Sequence, residues 1–340
     1  MTIKKHMTIK KQKIKEPVLV TGAAGFIGRR LVKRLLDEGK QVIAFDVMVC
    51  PESLQDEFNL TWYQGDISSR EDVKAVLARC GSVFHLAALV GDWGQAALHQ
   101  KITVDGTQTL FELAFELDAQ PRIVLASSIV VYGDQINGQR CYEGMPHGWF
   151  FGPYGKSKQA QETIAHQFIQ QGLDVRMVRP ANVYGAGSKP WVDDVCVELK
   201  KGMPVLIGGG DYDAGLVHVD NVIEVLILAS CTENVRGQIF NAADEEGITW
   251  RKYMKDLAEC CEAGKPKSIP RIVAKYLAKA GELAFHLMRA DNRPPLTAEA
   301  LNLVGSQHQI DMGKTKKLLG YKPVKLYREG LEEIKHYLES

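Results

Sequence analysis

The sequence predicts an α/β fold in which a doubly wound parallel sheet is joined to a smaller, mainly helical C-terminal lobe. In the first half of the chain, short apolar runs alternate with segments of helical length and pattern. The runs are apolar throughout, which is typical of strands buried on both faces of a parallel sheet. After residue 249 the pattern is helical and is interrupted at prolines.

The predicted elements alternate regularly at first and then less so. Strands are expected at 18–20, 42–45, 83–86, 123–126 and, returning to the sheet, 216–220; helices are expected at 27–38, 95–117, near 192–200 and from 249 onward. This order divides the chain into a mobile basic tail (1–16), a nucleotide-binding domain (17–185 plus 216–245) and a smaller substrate-binding lobe (186–215 plus 246–340).

Composition and charge exclude several classes of protein. Of the 340 residues, 45% are hydrophobic and 24% are charged, which excludes a disordered, collagen-like or coiled-coil chain. The 42 basic and 41 acidic residues leave a net charge of +1, so no nucleic-acid partner is expected. No run is apolar for long enough to span a bilayer.

The seven cysteines are scattered and include no Cys-x-x-Cys pair. This usage predicts free thiols in a reducing compartment, with neither a disulfide framework nor a metal site. The Lys-rich residues 1–16 lack the apolar run of a signal peptide. We therefore expect a cytoplasmic protein.

A glycine-rich turn, Thr21–Gly28, follows the first strand and opens a helix. The first glycine allows the tight turn, the second lets backbone amides approach a pyrophosphate, and the third permits close packing of helix on strand. The helix N-terminus favours the negative charge. The sequence therefore predicts a dinucleotide site formed by Gly22, Ala24, Gly25, Phe26, Ile27 and Gly28.

Asp46 ends the second strand, 18 residues after Gly28. A carboxylate at this point can accept the adenosine ribose hydroxyls and would repel a 2′-phosphate, which favours NAD over NADP. The alternative is a turn or helix-cap aspartate. Arg29 and Arg30 could partly offset the repulsion, so the sequence leaves NADP open.

Tyr154 and Lys158 lie four residues apart and share one face of a predicted helix. A phenol is a poor base at neutral pH, but a neighbouring ammonium and a cationic nicotinamide both favour its ionised form. Ser128 follows the strand at 123–126, at the strand end where doubly wound sheets place their ligands. We expect its hydroxyl to hold the substrate oxygen.

In combination and in this order, these residues resemble the extended short-chain dehydrogenase/reductase superfamily, which has a Rossmann fold. The matching motifs span residues 18 to 220 and are the Thr21–Gly28 turn, Asp66-Ile67, His85-Leu86-Ala87-Ala88, Ser127-Ser128, Val131-Tyr132-Gly133, Tyr154/Lys158 and Arg179–Gly185.

The resemblance implies roles for individual residues. Tyr154 would be the acid/base, Lys158 would hold the nicotinamide ribose and lower the pKa of Tyr154, and Ser128 would polarise the carbonyl or alcohol. Further cofactor contacts are implied for Asp66, Ile67, Leu86, Ala87, Ala88, Pro180, Asn182 and Val183. A homodimer through 95–117 and 152–171 is also implied. One departure is Thr103, which stands where the family usually has an asparagine that organises proton transfer.

Two positions narrow the choice within the superfamily. Ile129 follows Ser128, where related dehydratases carry acidic residues. Ala214 stands where nucleotide-sugar epimerases usually carry an arginine for the diphosphate, and loss of that charge-assisted contact counts against a nucleotide sugar. The C-terminal motifs Arg293–Thr297 and Lys317–Pro323 resemble the 3β-hydroxysteroid dehydrogenase-like branch.

The residues around the expected chemistry are mostly apolar, which suits a lipid-like or polycyclic alcohol. Substrate contacts are expected from Trp93, Ile129, Val130, Trp149, Phe150 and Asn182. Ordinary packing is the alternative for some of them. The stretch 271–288 is an amphipathic helix that could cover the pocket or touch a membrane, and packing on the small lobe is the preferred interpretation.

The sequence thus predicts an NAD(P)-dependent oxidoreductase that interconverts a secondary alcohol and a ketone on an apolar small molecule. Two alternatives stay open at this point. One is an NAD-dependent nucleotide-sugar epimerase that uses the same groups. The other is a non-catalytic protein that senses the cofactor or binds a partner.

Overall fold

The computed structural model describes residues 9–288 and 292–340. The strands are β1 (Val18–Thr21), β2 (Val42–Asp46), β3 (Leu60–Gln64), β4 (Ser82–His85), β5 (Arg122–Ala126), β6 (Arg140–Cys141), β7 (Val175–Pro180), β8 (Asn182–Tyr184), β9 (Pro204–Ile207), β10 (Leu216–His218), β11 (Ile239–Ala242), β12 (Lys267–Ile269) and β13 (Gln309–Ile310).

The α-helices are α1 (Phe26–Asp37), α2 (Arg70–Leu77), α3 (Ala96–His99), α4 (Gly106–Glu116), α5 (Pro153–Gln171), α6 (Asp194–Lys200), α7 (Val219–Cys231), α8 (Trp250–Cys260), α9 (Arg271–Leu287), α10 (Ala298–Val304), α11 (Gly313–Leu319) and α12 (Tyr327–Glu339). Short 3-10 helical segments cover Glu52–Leu54 and Ile129–Ile136, and π-helical segments cover Gln100–Asp105 and Lys189–Asp193.

Seven strands form the central sheet in the order β11-β7-β5-β4-β1-β2-β3, and all neighbouring pairs are parallel. The direction of strand addition reverses between β1 and β4. Ligands of open α/β sheets bind at the carboxyl ends of the strands beside such a switch point. This confirms the predicted α/β Rossmann architecture.

The sheet is buried on both faces, as its apolar strands predict. Along β1, Val18 and Val20 contribute to one hydrophobic cluster and Leu19 to another, because successive side chains point to opposite faces. Helix α1 packs on the first cluster through Leu31 and Leu35, one turn apart. The core therefore holds the carboxyl ends of β1 and β4 in a fixed position.

A third hydrophobic cluster lies outside the main sheet. It is built around Trp250, Tyr253 and Leu257 of α8 and draws in Val192 and Leu206. These residues belong to the segments assigned to the smaller lobe. That this lobe binds the substrate stays a prediction.

The observed elements differ from the prediction in three respects. The helix expected over 95–117 consists of α3, a π-helical segment and α4. The strand expected at 216–220 ends at His218 and pairs with β8, so the prediction that it returns to the central sheet is wrong. The central-sheet strands β3, β7 and β11 were not predicted; in β3 no residue is fully buried and there is no continuous apolar run.

Part of the predicted N-terminal tail packs on the domain. Lys11 forms an antiparallel bridge with Thr232 at the end of α7, and the amide of Gln12 donates to the carbonyl of Cys231 at 2.7 Å. Ile14 is buried. The boundary at residue 16 is therefore too late in the chain, and residues 1–8 of the predicted tail lie outside the described residues. None of the described helices is both long and apolar enough to cross a membrane.

Candidate active site

The glycine turn connects β1 to α1 at the switch point. Gly22 has a φ of +70°, and a Cβ there would lie 2.8 Å from the backbone nitrogen of Ala87. A Cβ on Gly28 would lie 2.0 Å from the carbonyl oxygen of Gly22. Gly25 is exposed and immediately precedes α1. Two glycines thus close the turn tightly, and the third leaves its outer side open.

The N-terminus of α1 suits a phosphate. Its first turn contains no acidic residue, and no side chain within the described residues caps it. The unpaired amides and the helix dipole there favour an anion. The turn therefore fits the pyrophosphate of a dinucleotide.

Asp46 lies directly beside the glycine turn. Its Oδ2 accepts the amide of Ala24 at 3.0 Å, and its Oδ1 accepts the amide of Met48 at 3.0 Å. Each carboxylate oxygen keeps a second lone pair for a ribose hydroxyl. The carboxylate is therefore held in place and can still accept further hydrogen bonds.

The two arginines that could have offset the charge of Asp46 point elsewhere. Arg30 donates to Asp220 at 3.3 Å, to the carbonyl of Ala186 at 3.0 Å and to Glu333. The guanidinium of Arg29 lies against Gly187: a Cβ on that glycine would be 2.3 Å from an Arg29 guanidinium nitrogen. Neither side chain faces the carboxylate, which favours NAD.

The other predicted cofactor residues line the ends of the strands. Oδ1 of Asp66 accepts the amide of Ser68, and Ile67 is buried against Gly106. Leu86, Ala87 and Ala88 follow β4, Pro180 ends β7, and Asn182 and Val183 are the first two residues of β8. The Nδ2 of Asn182 donates to the carbonyl of Ala214 at 2.7 Å, so its amide nitrogen is already engaged.

Ser128, Tyr154 and Lys158 lie together at the carboxyl end of β5. Ser128 follows that strand directly, and its hydroxyl accepts the amide of Val130 at 3.3 Å. Tyr154 is in the first turn of α5, and Lys158 is one turn further, with its Nζ 6.0 Å from the phenol ring centroid. The Nζ donates to the carbonyl of Ala126 at 2.8 Å, which fixes the ammonium at the strand end.

The environment shifts the pKa values of both titratable groups. Burial raises the pKa of Tyr154 to about 12; the Ser128 hydroxyl opposes this rise and the carboxylate of Glu299 adds to it. Burial lowers the pKa of Lys158 to about 8, against the opposing effect of the Glu162 carboxylate. At neutral pH the protein alone therefore holds a neutral phenol beside a mostly charged lysine.

A buried hydrogen-bond chain begins at Lys158. Its Nζ donates to Oε1 of Gln161 at 2.9 Å, and Nε2 of Gln161 donates to the hydroxyl of Thr107 at 2.7 Å. That hydroxyl donates in turn to the carbonyl of Thr103 at 2.6 Å and lies 2.9 Å from Nε2 of His85. Since the single hydroxyl proton is committed to Thr103, His85 must be the donor to Thr107.

The chain continues from His85 to the glycine turn. With the proton on Nε2, the Nδ1 of His85 accepts from the hydroxyl of Thr21 at 2.8 Å. The same hydroxyl accepts the amide of Ala87 at 3.1 Å. Burial and the nearby Lys158 charge lower the pKa of His85 to about 3, so the ring is neutral. Lys158 and the cofactor turn are therefore joined by one satisfied network.

Glu162 anchors the buried side of α5. Its carboxylate accepts two hydrogen bonds from Arg179, at 2.8 and 2.6 Å, and one from the hydroxyl of Ser127 at 2.5 Å. Nε2 of His147 lies 2.9 Å from its second oxygen. Of the two serines in the motif, Ser127 is thus structural and Ser128 alone lies at the site.

A match to a family model identifies the family of the chain. The model described as "NAD dependent epimerase/dehydratase family" matches residues 18–243, which contain the glycine turn and the Ser128, Tyr154 and Lys158 set. The chain belongs to the NAD dependent epimerase/dehydratase family. At this level the predicted NAD cofactor and the predicted dehydrogenase/reductase class of enzyme are confirmed.

Several proteins of the family are similar over nearly the whole chain. The 3-beta-hydroxysteroid dehydrogenase of Mycolicibacterium neoaurum is 28% identical, over 94% of this chain and 90% of its own length. The 2-alkyl-3-oxoalkanoate reductase of Shewanella oneidensis is 24% identical, over 93% and 84%. The structure of UDP-glucuronic acid 4-epimerase from Bacillus cereus in complex with NAD has a TM-score of 0.75 and 21% identity, over 95% and 98%. The predicted resemblance to the 3β-hydroxysteroid dehydrogenase-like branch is confirmed by the first of these.

The predicted substrate residues lie in three different environments. Val130 lines a cavity of about 10 Å³ together with Gly155 and Glu299, which leaves room for about one water. Trp93, Trp149 and Phe150 lie on surface loops, with Trp149 71% exposed and stacked on Phe150. Ile129 is packed in the main core. Their contacts with a substrate stay predictions.

Two functional candidates were missed by the sequence analysis. Glu299 of α10 is buried in the same small cavity, and neither carboxylate oxygen has a hydrogen-bond partner among the described residues. His99 lies beside Tyr154, with ring centroids 6.4 Å apart, and both its ring nitrogens are likewise unpartnered within the described chain. No motif marks either residue. Only their position against α5 shows that they face Tyr154.

Thr103, which stands where the family usually has an asparagine, makes defined hydrogen bonds in the structure. Thr103 lies in the π-helical segment, and its hydroxyl accepts the amide of Leu89 at 3.0 Å. Its carbonyl accepts the hydroxyl of Thr107. The residue therefore supports the network that ends at Lys158.

Proposed function

We propose that the chain is an NAD-dependent oxidoreductase that interconverts a secondary alcohol and a ketone on an apolar substrate, such as a 3-hydroxysteroid, a sterol or a β-hydroxy acyl chain. The observation that carries this proposal is the grouping of Ser128, Tyr154 and Lys158 beside the glycine turn. The surrounding loops are apolar and aromatic.

The chain's own residues would handle the proton and the oxygen. The Ser128 hydroxyl would hold the substrate oxygen next to the phenol of Tyr154. In oxidation, the Tyr154 phenolate takes the alcohol proton; in reduction, the phenol returns a proton to the ketone oxygen. When bound, the nicotinamide would take up the hydride as NAD⁺ in oxidation and would supply it as NADH in reduction.

Lys158 would set the protonation state of Tyr154. A phenol with a pKa of about 12 is a proton donor, which suits ketone reduction as it stands. Oxidation needs the phenolate, which a nearby ammonium favours. Lys158 carries that charge below a pH of about 8. The remaining donor capacity of its Nζ would hold the nicotinamide ribose.

Two observations support an apolar substrate. The names of two similar proteins refer to a hydroxysteroid and a 3-oxoalkanoate, both carbon skeletons with an oxygen at position three. Trp93, Trp149 and Phe150 are exposed or half-buried around the site and are available to such a skeleton.

A nucleotide-sugar epimerase is the second candidate, because a solved structure of similar fold has that activity. Ala214 counts against it. This residue is fully buried, and its carbonyl accepts a hydrogen bond from Asn182, so the position offers no cation to a diphosphate.

The proposal also includes a homodimer formed through 95–117 and 152–171, and a cytoplasmic location. Leu98 and Phe115 expose apolar surface on the first of these two stretches.

The test follows nicotinamide absorbance when the purified protein and NAD are mixed with a candidate substrate. Hydroxysteroids, β-hydroxy acids and nucleotide sugars are assayed in parallel. Steady NADH formation with an apolar alcohol, reduced about 10²- to 10⁴-fold by Tyr154→Phe, supports the proposal. Tyr132→Phe is the matched control, because the Tyr132 hydroxyl bonds to buried Asn241 away from the site. Sugar interconversion without net NADH would establish the epimerase. A Tyr154→Phe protein that kept its biological effect would indicate a non-catalytic role.

A further inference from the structure

Helix α9 exposes the large apolar side chains that an amphipathic helix normally buries. Its only buried residues are two alanines, Ala274 and Ala278. Apart from the half-buried Phe285, its large aliphatic and aromatic residues, together with the residue that follows it, are between 42% and 76% exposed: Ile272, Val273, Tyr276, Leu277, Leu283, Leu287 and Met288. The described residues therefore leave this apolar face uncovered.

The apolar face lies opposite the side by which α9 contacts the protein. At about 100° per residue, the exposed apolar residues fill one continuous arc. On the other side, Gly281 faces Pro294 and Leu296, and Oε1 of Glu282 accepts the amide of Ala298 at 2.7 Å. The helix is attached by small and polar residues and presents its hydrophobic surface outward.

One edge of the apolar face is cationic. Lys275, Lys279 and His286 are exposed along it, and Arg271 is exposed at the start of the helix. The three Arg and Lys side chains form no ion pair with a carboxylate within 9–288 and 292–340. The single acidic residue of the helix, Glu282, is engaged with Ala298. An unpaired basic edge beside an apolar face is the pattern of helices that lie in the interface of an anionic membrane.

The helix adjoins the candidate active site. Trp93, in the loop after β4, contacts His286 and Phe285 at ring-centroid distances of 4.5 and 6.4 Å. Val90 in the same loop is 69% exposed. An apolar molecule that left a lipid phase along α9 would therefore reach the loop after β4, which contains the predicted substrate residue Trp93.

We propose that α9 docks the protein on the surface of an anionic lipid bilayer, with its apolar face in the interface and its basic edge on the headgroups. A second copy of the chain is the competing occupant. It would bring a like-charged basic edge against the first, whereas a bilayer satisfies both the apolar and the cationic features. This docking goes beyond the proposed reaction and would place the site where apolar substrates dissolve.

The experiment is sedimentation of the full chain with phosphatidylcholine vesicles that contain one part in three phosphatidylglycerol, or none. We expect binding to the anionic vesicles that weakens with salt. The double variant Tyr276→Glu/Leu287→Glu changes side chains that are 72% and 76% exposed, so the fold should persist. Its partition coefficient should fall about tenfold or more. Phe58→Glu, at a residue 98% exposed elsewhere, is the matched control and should bind like the parent.

Lys275→Gln/Lys279→Gln separates the two contributions, and should weaken binding to anionic vesicles only. Failure of the parent to sediment with anionic vesicles, or equal binding by the double variant, would overturn the proposal. So would a dimer by light scattering that the double variant converts to monomer without any vesicle binding. Because sedimentation needs no substrate, its outcome is independent of the turnover assay that tests the proposed reaction.

Discussion

Nζ of Lys158 donates to Oε1 of Gln161 at 2.9 Å, one turn further along α5 and fully inside the protein. The amide group of Gln161 has only one orientation that serves both neighbours, because its nitrogen donates to Thr107. This contact fixes the ammonium that the proposed reaction requires.

Removing that contact should change the pH dependence of oxidation. Gln161→Met deletes an acceptor of the Lys158 ammonium, so the pKa of Lys158 should fall by about one unit or more and the alkaline limb of kcat should move down. Gln161→Glu adds a negative charge beside the ammonium and should move the same limb up. The measurement is kcat against pH at saturating NAD. Identical limbs in the two variants would show that Gln161 does not act through Lys158.

Asp46 should control the choice of cofactor. Asp46→Ala removes the carboxylate that faces the glycine turn, so the ratio of kcat/KM for NAD over NADP should fall about tenfold or more. Asp37→Ala is the control, since Asp37 pairs with Lys33 on the exposed end of α1. Unchanged preference in Asp46→Ala would remove the ribose role from this residue.

Glu299 should oppose ionisation of Tyr154. Burial and the Asp92 charge raise the pKa of Glu299 to about 7, and its negative charge raises the pKa of Tyr154. Glu299→Gln should therefore lower the pKa seen in the pH profile of alcohol oxidation and increase the rate at neutral pH. Glu332→Gln, an exposed carboxylate on α12, should leave the profile unchanged. A shift to higher pH in Glu299→Gln would contradict this electrostatic argument.

Glu162 should make the fold sensitive to acid. Burial alone would raise its pKa, but Arg179 and then His147 and Ser127 lower it from 4.5 to about 2. A carboxylate with a depressed folded-state pKa stabilises the protein above about pH 4.5, and this stability is lost as the pH falls towards 2. At about 1.4 kcal/mol per unit, the contribution is about 3 kcal/mol.

Urea unfolding of the parent and of Glu162→Gln checks this expectation. The parent should be more stable by about 3 kcal/mol or more at pH 7, because the variant also leaves Arg179 buried without its partner. The difference should shrink between pH 4.5 and 2. A difference that stayed constant over that range would mean that the carboxylate's charge is not the cause.

The sequence was sufficient where the signal is local. Val18–Val20 and the helix that follows Gly25 were predicted within a residue or two, because apolar runs and glycine spacing depend on neighbours in the chain. The helix over 95–117 was predicted as continuous, since α and π turns have similar apolar spacing and only hydrogen bonds distinguish them.

The buried polar side of α5 could not be predicted. Lys158, Gln161 and Glu162 have the pattern of a solvated helix face, yet all three are buried. Their partners come from other strands and helices, and no spacing rule links them. Glu299 is further still, 145 residues after Tyr154, and only tertiary packing brings its charge close enough to raise the pKa of Tyr154.

The network behind Lys158 also ties catalytic competence to the last stages of refolding. Its hydrogen bonds join residues that are 32, 54 and 64 positions apart in the chain. Contacts of such long range form slowly, after local helices. During refolding, helical content should therefore recover before turnover, and the recovery of enzyme activity would report when the sheet is complete.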